Sequence, residues 1–184
     1  DATNIVTSAR FEESESLMGY FEVLRHQLEM YGRPIFLYTD RFSVFETSRK
    51  KENLTQFQRA LKSLGIEWIG ATTPQAKGKI ERCNRTLQDR LVKEMRLRGI
   101  KSIEEGNKFL EEYFLIFNEK FSKKAMKSGD LHRPLERGID VSRNLSKYQE
   151  RTPTKELTFP FQHTHSKILQ PIKGSCFIKK MEIP

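Results

Sequence analysis

Ile35-Phe36-Leu37-Tyr38-Thr39-Asp40 is the stretch on which the fold turns. Four apolar residues in a row, closed by a threonine and an aspartate, read as a strand apolar on both faces. Such strands belong to parallel sheets covered by helices. Twenty-five residues on, Ile66-Glu67-Trp68-Ile69 reads as a second strand. Between them Phe57, Leu61 and Leu64 recur at helical spacing over Thr55–Leu64, with Gly65 as the stop. Strand, helix and strand in this order specify a parallel βαβ unit.

Upstream, Asn4–Phe11 reads as a further strand, with Ile5, Val6 and Thr7 at its centre. Ser14 is placed to cap a helix carrying Leu17, Phe21, Leu24 and Leu28, which Gly32 and Pro34 end. Downstream, residues 70–78 read as a loop containing Pro74. A long helix over Lys79–Arg98 follows, its apolar stripe formed by Ile80, Leu87, Leu91 and Met95. Another helix starts at Ser102, where Glu105 completes a capping box. Ile103, Leu110, Phe114 and Phe117 give its buried face. Residues 123–140, with Gly129, Pro134 and Gly138, read as a linker. Short strand candidates at Leu157–Phe161, Lys167–Leu169 and Cys176–Ile178 suggest a small β-rich appendage over 141–184.

The chain of 184 residues carries a net charge of +9 and a pI of about 9.6. A basic excess of this size favours polyanions, nucleic acid first. Residues 76–98 hold eight basic and three acidic side chains, an excess of +5 in one segment. No run of apolar residues is long enough to span a membrane. The first residues lack the basic and apolar regions of a signal peptide. They also lack an initiator methionine, so the chain is expected to begin inside a longer reading frame. Cys83 and Cys176 are too far apart for a disulfide framework or a zinc spacing and read as reduced thiols. His163 and His165 have no partner ligands in the pattern and read as surface residues.

Two acids draw attention. Asp40 follows an apolar strand, and in open α/β sheets the carboxyl ends of strands face the ligand crevice. The alternative reading is an ordinary turn aspartate. Glu81 lies near the start of the basic helix. It reads either as a dipole-favoured acid paired with Arg85 one turn on, or as a functional carboxylate. A strand-end carboxylate and a helix carboxylate together can bind divalent cations through oxygen. Two such ions can clamp a phosphodiester in an in-line displacement.

The segment Leu37-Tyr38-Thr39-Asp40-Arg41 resembles the second-aspartate strand of integrase-type transposases. Thr73-Pro74-Gln75-Ala76-Lys77-Gly78-Lys79-Ile80-Glu81-Arg82-Cys83-Asn84-Arg85 resembles their glutamate motif. The continuation through Arg96 looks like the bacterial insertion-sequence group labelled ISNCY. The resemblance covers residues 1–134 well and continues weakly through 150–158.

It implies an α/β, RNase-H-like integrase core over 1–122, partial and lacking the first two strands. A linker over 123–140 and the small β-rich C-terminal region would follow. It implies a DDE transposase, an enzyme of DNA transposition and integration that cleaves phosphodiesters and transfers strands with Mg²⁺ or Mn²⁺, two ions being held by three acids. Asp40 and Glu81 match the second and third acids as catalytic residues and metal ligands. Forty residues separate them, somewhat more than in retroviral integrases. The resemblance further implies DNA contacts from Gln75, Lys77, Lys79, Arg82, Asn84 and Arg85. The implied partners are transposon ends and target DNA, with a homo-multimer in the intact enzyme, in the bacterial cytoplasm at the nucleoid.

Two departures accompany it. Asp1 matches a turn rather than the first catalytic strand, so the first aspartate is absent from the chain, and Phe42 stands where a polar residue or histidine is expected. Residues 1–184 alone are therefore expected to be unstable, with unpaired strand edges, and catalytically inactive. The competing readings are a non-catalytic DNA-binding or multimerising fragment, an RNase-H-like nuclease of another lineage, and a decayed reading frame.

Overall fold

The computed structural model describes residues 3–40, 44–45, 54–71, 74–125, 129–149, 152, 154–155, 158–161 and 164–167. The chain falls into two compact units, Asp1–Leu145 and Ser146–Pro184.

The first unit is mixed α and β. Helix α1 (Leu17–Tyr31) is capped by Ser16, whose hydroxyl accepts from Gly19 N at 3.0 Å, rather than by Ser14. It buries Phe21, Leu24 and Leu28, spaced three and four residues apart. It ends at Gly32, which has a positive φ of 84°. A side chain there would meet the Arg133 carbonyl oxygen at 2.8 Å. That close approach exists because Arg33 and Arg133 exchange two backbone hydrogen bonds, of 2.8 and 2.9 Å.

Strand β1 (Phe36–Thr39) pairs in parallel with β2 (Glu67–Gly70), Phe36 opposite Glu67 and Thr39 opposite Gly70. Helix α2 (Gln56–Ser63) connects them and begins with the capping box of Thr55 and Gln58. The parallel βαβ unit is as expected, but the burial of β1 is not. Phe36 is 51% and Tyr38 44% exposed, while Leu37 packs inward. Only one face of the two-stranded sheet is covered among the described residues, so an apolar run did not imply two buried faces.

A first core joins Phe21, Leu24 and Leu28 of α1 to Phe57, Ala60 and Leu61 of α2, together with Leu64, Ile66 and Leu145. Tyr20, Phe21, Phe45 and Phe57 form its aromatic part, with ring centroids 4.7 to 6.1 Å apart. Leu135, Ile139 and Val141 also pack on it. The stretch read as a linker therefore contributes to the core, and a short helix, Val141–Asn144, capped by Asp140, follows it.

A second core lies between helix α3 (Pro74–Leu97) and helix α4 (Ile103–Phe121). Leu91 packs with Phe109, Leu110, Tyr113, Phe114 and Phe117, flanked by Cys83, Leu87, Met95 and Phe121. Ser102 and Glu105 form the expected capping box of α4. Helix α3 starts at Pro74, not at Lys79, so most of the expected loop is helical. Proline suits a first turn because its φ is preset and the amide proton it lacks would have no helical partner there.

The expected strand at Asn4–Phe11 does not form a ladder. Asn4 has a positive φ of 58°, and the segment is held by two side chains of α4 instead. Asn118 accepts from Val6 N and donates to Val6 O, both at 2.8 Å. Asn107, three turns away on the same helix, does the same for Phe11 at 2.8 and 3.2 Å. Val6 and Phe11 turn their side chains into the second core. A strand needs a neighbouring backbone; here side-chain amides satisfy its polar groups.

In the second unit, β3 (Thr158–Phe161) and β4 (Thr164–Lys167) form an antiparallel hairpin. The first agrees with the candidate at Leu157–Phe161. The second lies just before the expected Lys167–Leu169. Cys176–Ile178, Phe42 and residues 47–53, the polar stretch to which the longer spacing between Asp40 and Glu81 is ascribed, lie outside the described residues.

Candidate functional site

Asp40 is the exposed residue immediately after β1. The segment beneath it is tightly tied. The Thr39 hydroxyl accepts from the Trp68 indole N–H at 2.9 Å and donates to the Asp40 carbonyl at 2.8 Å. Ala71 N donates to Thr39 O at 2.7 Å. Because the strands are parallel, this bond joins the end that carries Asp40 to the end from which the chain passes into α3. The expected placement of an acid at a strand's carboxyl end is met.

Tyr20, on the first turn of α1, also reaches this end. Its hydroxyl donates to Glu15, and its pKa is raised by burial, by that hydrogen bond and by the fields of Glu15 and Asp40. No motif or periodicity singles out either residue. Their signal is weak: Glu15 stands one residue before the helix cap, and nothing in the spacing connects it with Asp40.

Glu81 is exposed and lies seven residues beyond Pro74, roughly 10 Å along the helix axis. The first turn of α3 holds no acid. The dipole explanation for Glu81 therefore falls away, since that effect fades within one turn. The pairing with Arg85 is not formed either. What remains for Glu81 is an exposed, solvated carboxylate on the helix surface.

Arg82, Asn84 and Arg85 are exposed on α3. Gln75, Lys77 and Lys79 belong to the same helix by their backbone. Among the described residues no group of three or more His, Cys, Asp or Glu side chains gathers to hold a metal ion. Asp40 and Glu81 are hard oxygen donors of the kind Mg²⁺ and Mn²⁺ take, but two carboxylates are an incomplete ligand set. A cleft of about 580 Å³ lies between α1, residues 6–10 and α4. Neither acid lines it.

The basic residues in and just beyond the C-terminal half of α3 divide into two kinds. Arg90 lies over the Phe121 ring, 5.1 Å from its centroid, and Arg98 over Phe109 at 4.6 Å, with Glu112 3.7 Å from Arg98. These two flank the second core. Lys93 pairs with Asp89 one turn before it. Arg82, Arg85 and Arg96 make no ion pair among the described residues. No described helix is long and apolar enough to cross a membrane.

The chain is 43% identical over 167 residues to transposase y4bF of Sinorhizobium fredii, covering 88% of this chain and 36% of that protein. It is 38% identical over 151 residues to the transposase for insertion sequence IS1202 of Streptococcus pneumoniae, covering 78% and 32%. It thus spans about a third of the length of these relatives. No protein-family model and no solved structure matches it.

Proposed function

This chain is a homologue of insertion-sequence transposases, and from that premise we propose that it is part of the catalytic core of a DDE transposase with an RNase-H-like fold. The observation that carries the reading is the junction at Thr39. A parallel βαβ unit sets Asp40 at a strand end, and the neighbouring strand leads from that end into the helix bearing Glu81.

Asp40 and Glu81 would supply oxygen ligands for Mg²⁺ or Mn²⁺, and a further acid would have to complete the set. When bound, the ions would polarise the scissile phosphodiester and lower the pKa of the attacking hydroxyl. The side chains of the chain itself hold and orient. Thr39 and Trp68 fix the backbone at Asp40, and the exposed cations of α3 hold DNA phosphates in register. The reaction would be hydrolysis at the transposon end followed by attack of the freed 3′-OH on target DNA. It would take place in the bacterial cytoplasm, with a multimer joining two ends.

The test is strand transfer in the full-length transposase that contains these residues. Asp40→Asn and Glu81→Gln should each abolish joining and leave DNA binding largely intact. Joining retained in either variant overturns the reading. Cleavage of hybrid or branched substrates without joining would identify a nuclease instead.

A second reading has its own observation. The exposed cations Arg82, Arg85 and Arg96 of α3 would serve a non-catalytic DNA-binding or multimerising unit equally well. Salt-dependent DNA binding with no metal-dependent cleavage, in every protein that contains this chain, would establish it.

A further inference from the structure

Five of the exposed charges of α3 lie on one ridge, while Glu81, Arg90 and Glu94, also exposed, lie off it. At 3.6 residues per turn, Arg82, Arg85, Asp89, Lys93 and Arg96 fall within an arc of roughly 80°. The stripe of buried Leu91 and half-buried Cys83, Leu87 and Met95 lies on the opposite side. The cations of the ridge come in two pairs, Arg82 with Arg85 and Lys93 with Arg96. Their centres are eleven residues apart, about 16 Å along the axis. Asp89 occupies the gap and pairs with Lys93. Arg90, and Arg98 just past the end of the helix, are placed over aromatic rings at its flank.

We propose that α3 lies across a groove of duplex DNA, with Arg82 and Arg85 on the phosphates of one strand and Lys93 and Arg96 on those of the other. This rests on the reading of the chain as DNA-binding and extends the contact surface two turns beyond the glutamate motif. The spacing supports it. A major groove is about 12 Å wide, and long arginine and lysine side chains about 16 Å apart reach both of its walls. The charge sequence supports it as well. A ridge tracking one continuous phosphate backbone has no place for an acid at its middle. A helix spanning a groove has one, because no phosphate lies above the groove floor. The contacts would be positional, since phosphates carry no base sequence.

The experiment measures affinity of the full-length protein that contains these residues for a labelled duplex of about two helical turns across a range of salt, in EDTA so that metal chemistry plays no part. Each neutralised phosphate contact contributes about 0.9 to the slope of log K against log salt. The double variants Arg82→Gln/Arg85→Gln and Lys93→Gln/Arg96→Gln should each flatten the slope by about 1.8. Asp89→Lys discriminates the geometry. Over a groove floor it leaves the slope unchanged, whereas on a continuous backbone track it steepens the slope by about 0.9. Circular dichroism confirms that each variant keeps its helices.

The proposal is overturned by any of three results: no duplex binding, a slope indifferent to Lys93 and Arg96, or a steeper slope in Asp89→Lys. Its failure is separable from that of the catalytic reading, which is judged by metal-dependent joining in Asp40 and Glu81 variants.

Discussion

The side-chain amide of Asn118 meets both backbone polar groups of Val6, accepting from its N–H and donating to its carbonyl, each at 2.8 Å. One amide thereby takes the place of a neighbouring strand. Replacing it with alanine leaves two partly buried backbone groups without that partner, at a cost of about 1–3 kcal/mol for the unsatisfied groups. Asn118→Ala is therefore expected to lower the chemical-denaturation midpoint clearly. Asn118→Asp, which keeps the acceptor but sets a carboxylate oxygen against the Val6 carbonyl, should also be destabilised. Equal stability of all three forms would show that residues 6–11 are not held by α4.

Gly32 has a positive φ and lies against the Arg133 carbonyl. Gly32→Ala should destabilise the first unit by more than the roughly 1 kcal/mol that is the most such a change gains at a compatible site. The backbone bridge between Arg33 and Arg133 should open with it. Hydrogen exchange at the Arg133 amide is the readout, and protection unchanged from the parent would refute the prediction.

Glu105 accepts from the amides of Lys101 and Ser102, which hold its carboxyl below the usual glutamate range. A depressed folded-state pKa means that its stabilising contribution is complete above the ordinary glutamate value. It is lost as the pH falls through the lower folded value. The difference in Tm between the parent and Glu105→Gln should stay constant near neutrality and shrink across that acidic window. A difference that does not change with pH would assign the cap to geometry alone.

Thr39→Val removes the acceptor of the Trp68 indole N–H while keeping the shape of the side chain. The expected cost is about 1–2 kcal/mol, with a shift in the emission of Trp68, the single tryptophan. In the full-length enzyme, strand transfer should fall while duplex affinity stays unchanged, because Thr39 positions Asp40 and touches no DNA in the proposed arrangement. Unaltered strand transfer would sever Thr39 from the site.

Leu61 is fully buried in the first core. Leu61→Ala should cost about 2–5 kcal/mol, seen as a lowered midpoint of urea unfolding. A loss below about 1 kcal/mol would indicate that α2 does not pack as described.

Much of the architecture is legible in the order of the residues. Periodicity locates α1, α2 and α4, and the apolar run marks β1. Thr55 and Ser102 cap their helices because a hydroxyl and its third neighbour are local partners. The parallel pairing of β1 and β2 follows from the helix between them. Asp40 is placed at a strand end for the same reason.

What lies across space is not legible in this way. Residues 4–11 have strand composition, yet form an extended segment on α4 because no backbone lies beside them among the described residues. Phe36 and Tyr38 are as apolar as Leu37, yet stay exposed because nothing described covers that face. Leu135 and Ile139 sit in a stretch punctuated by glycine and proline, yet pack on the core because the Arg33–Arg133 bridge brings them there. Tyr20 meets the field of Asp40 only through folding. Sequence alone determined the helices, the two parallel strands and the place of Asp40 at a strand end, because caps, periodicity and short connections act between near neighbours. Tertiary structure alone decided which faces are covered, which extended segment is paired and where α3 begins, because burial and strand pairing depend on partners distant in the chain.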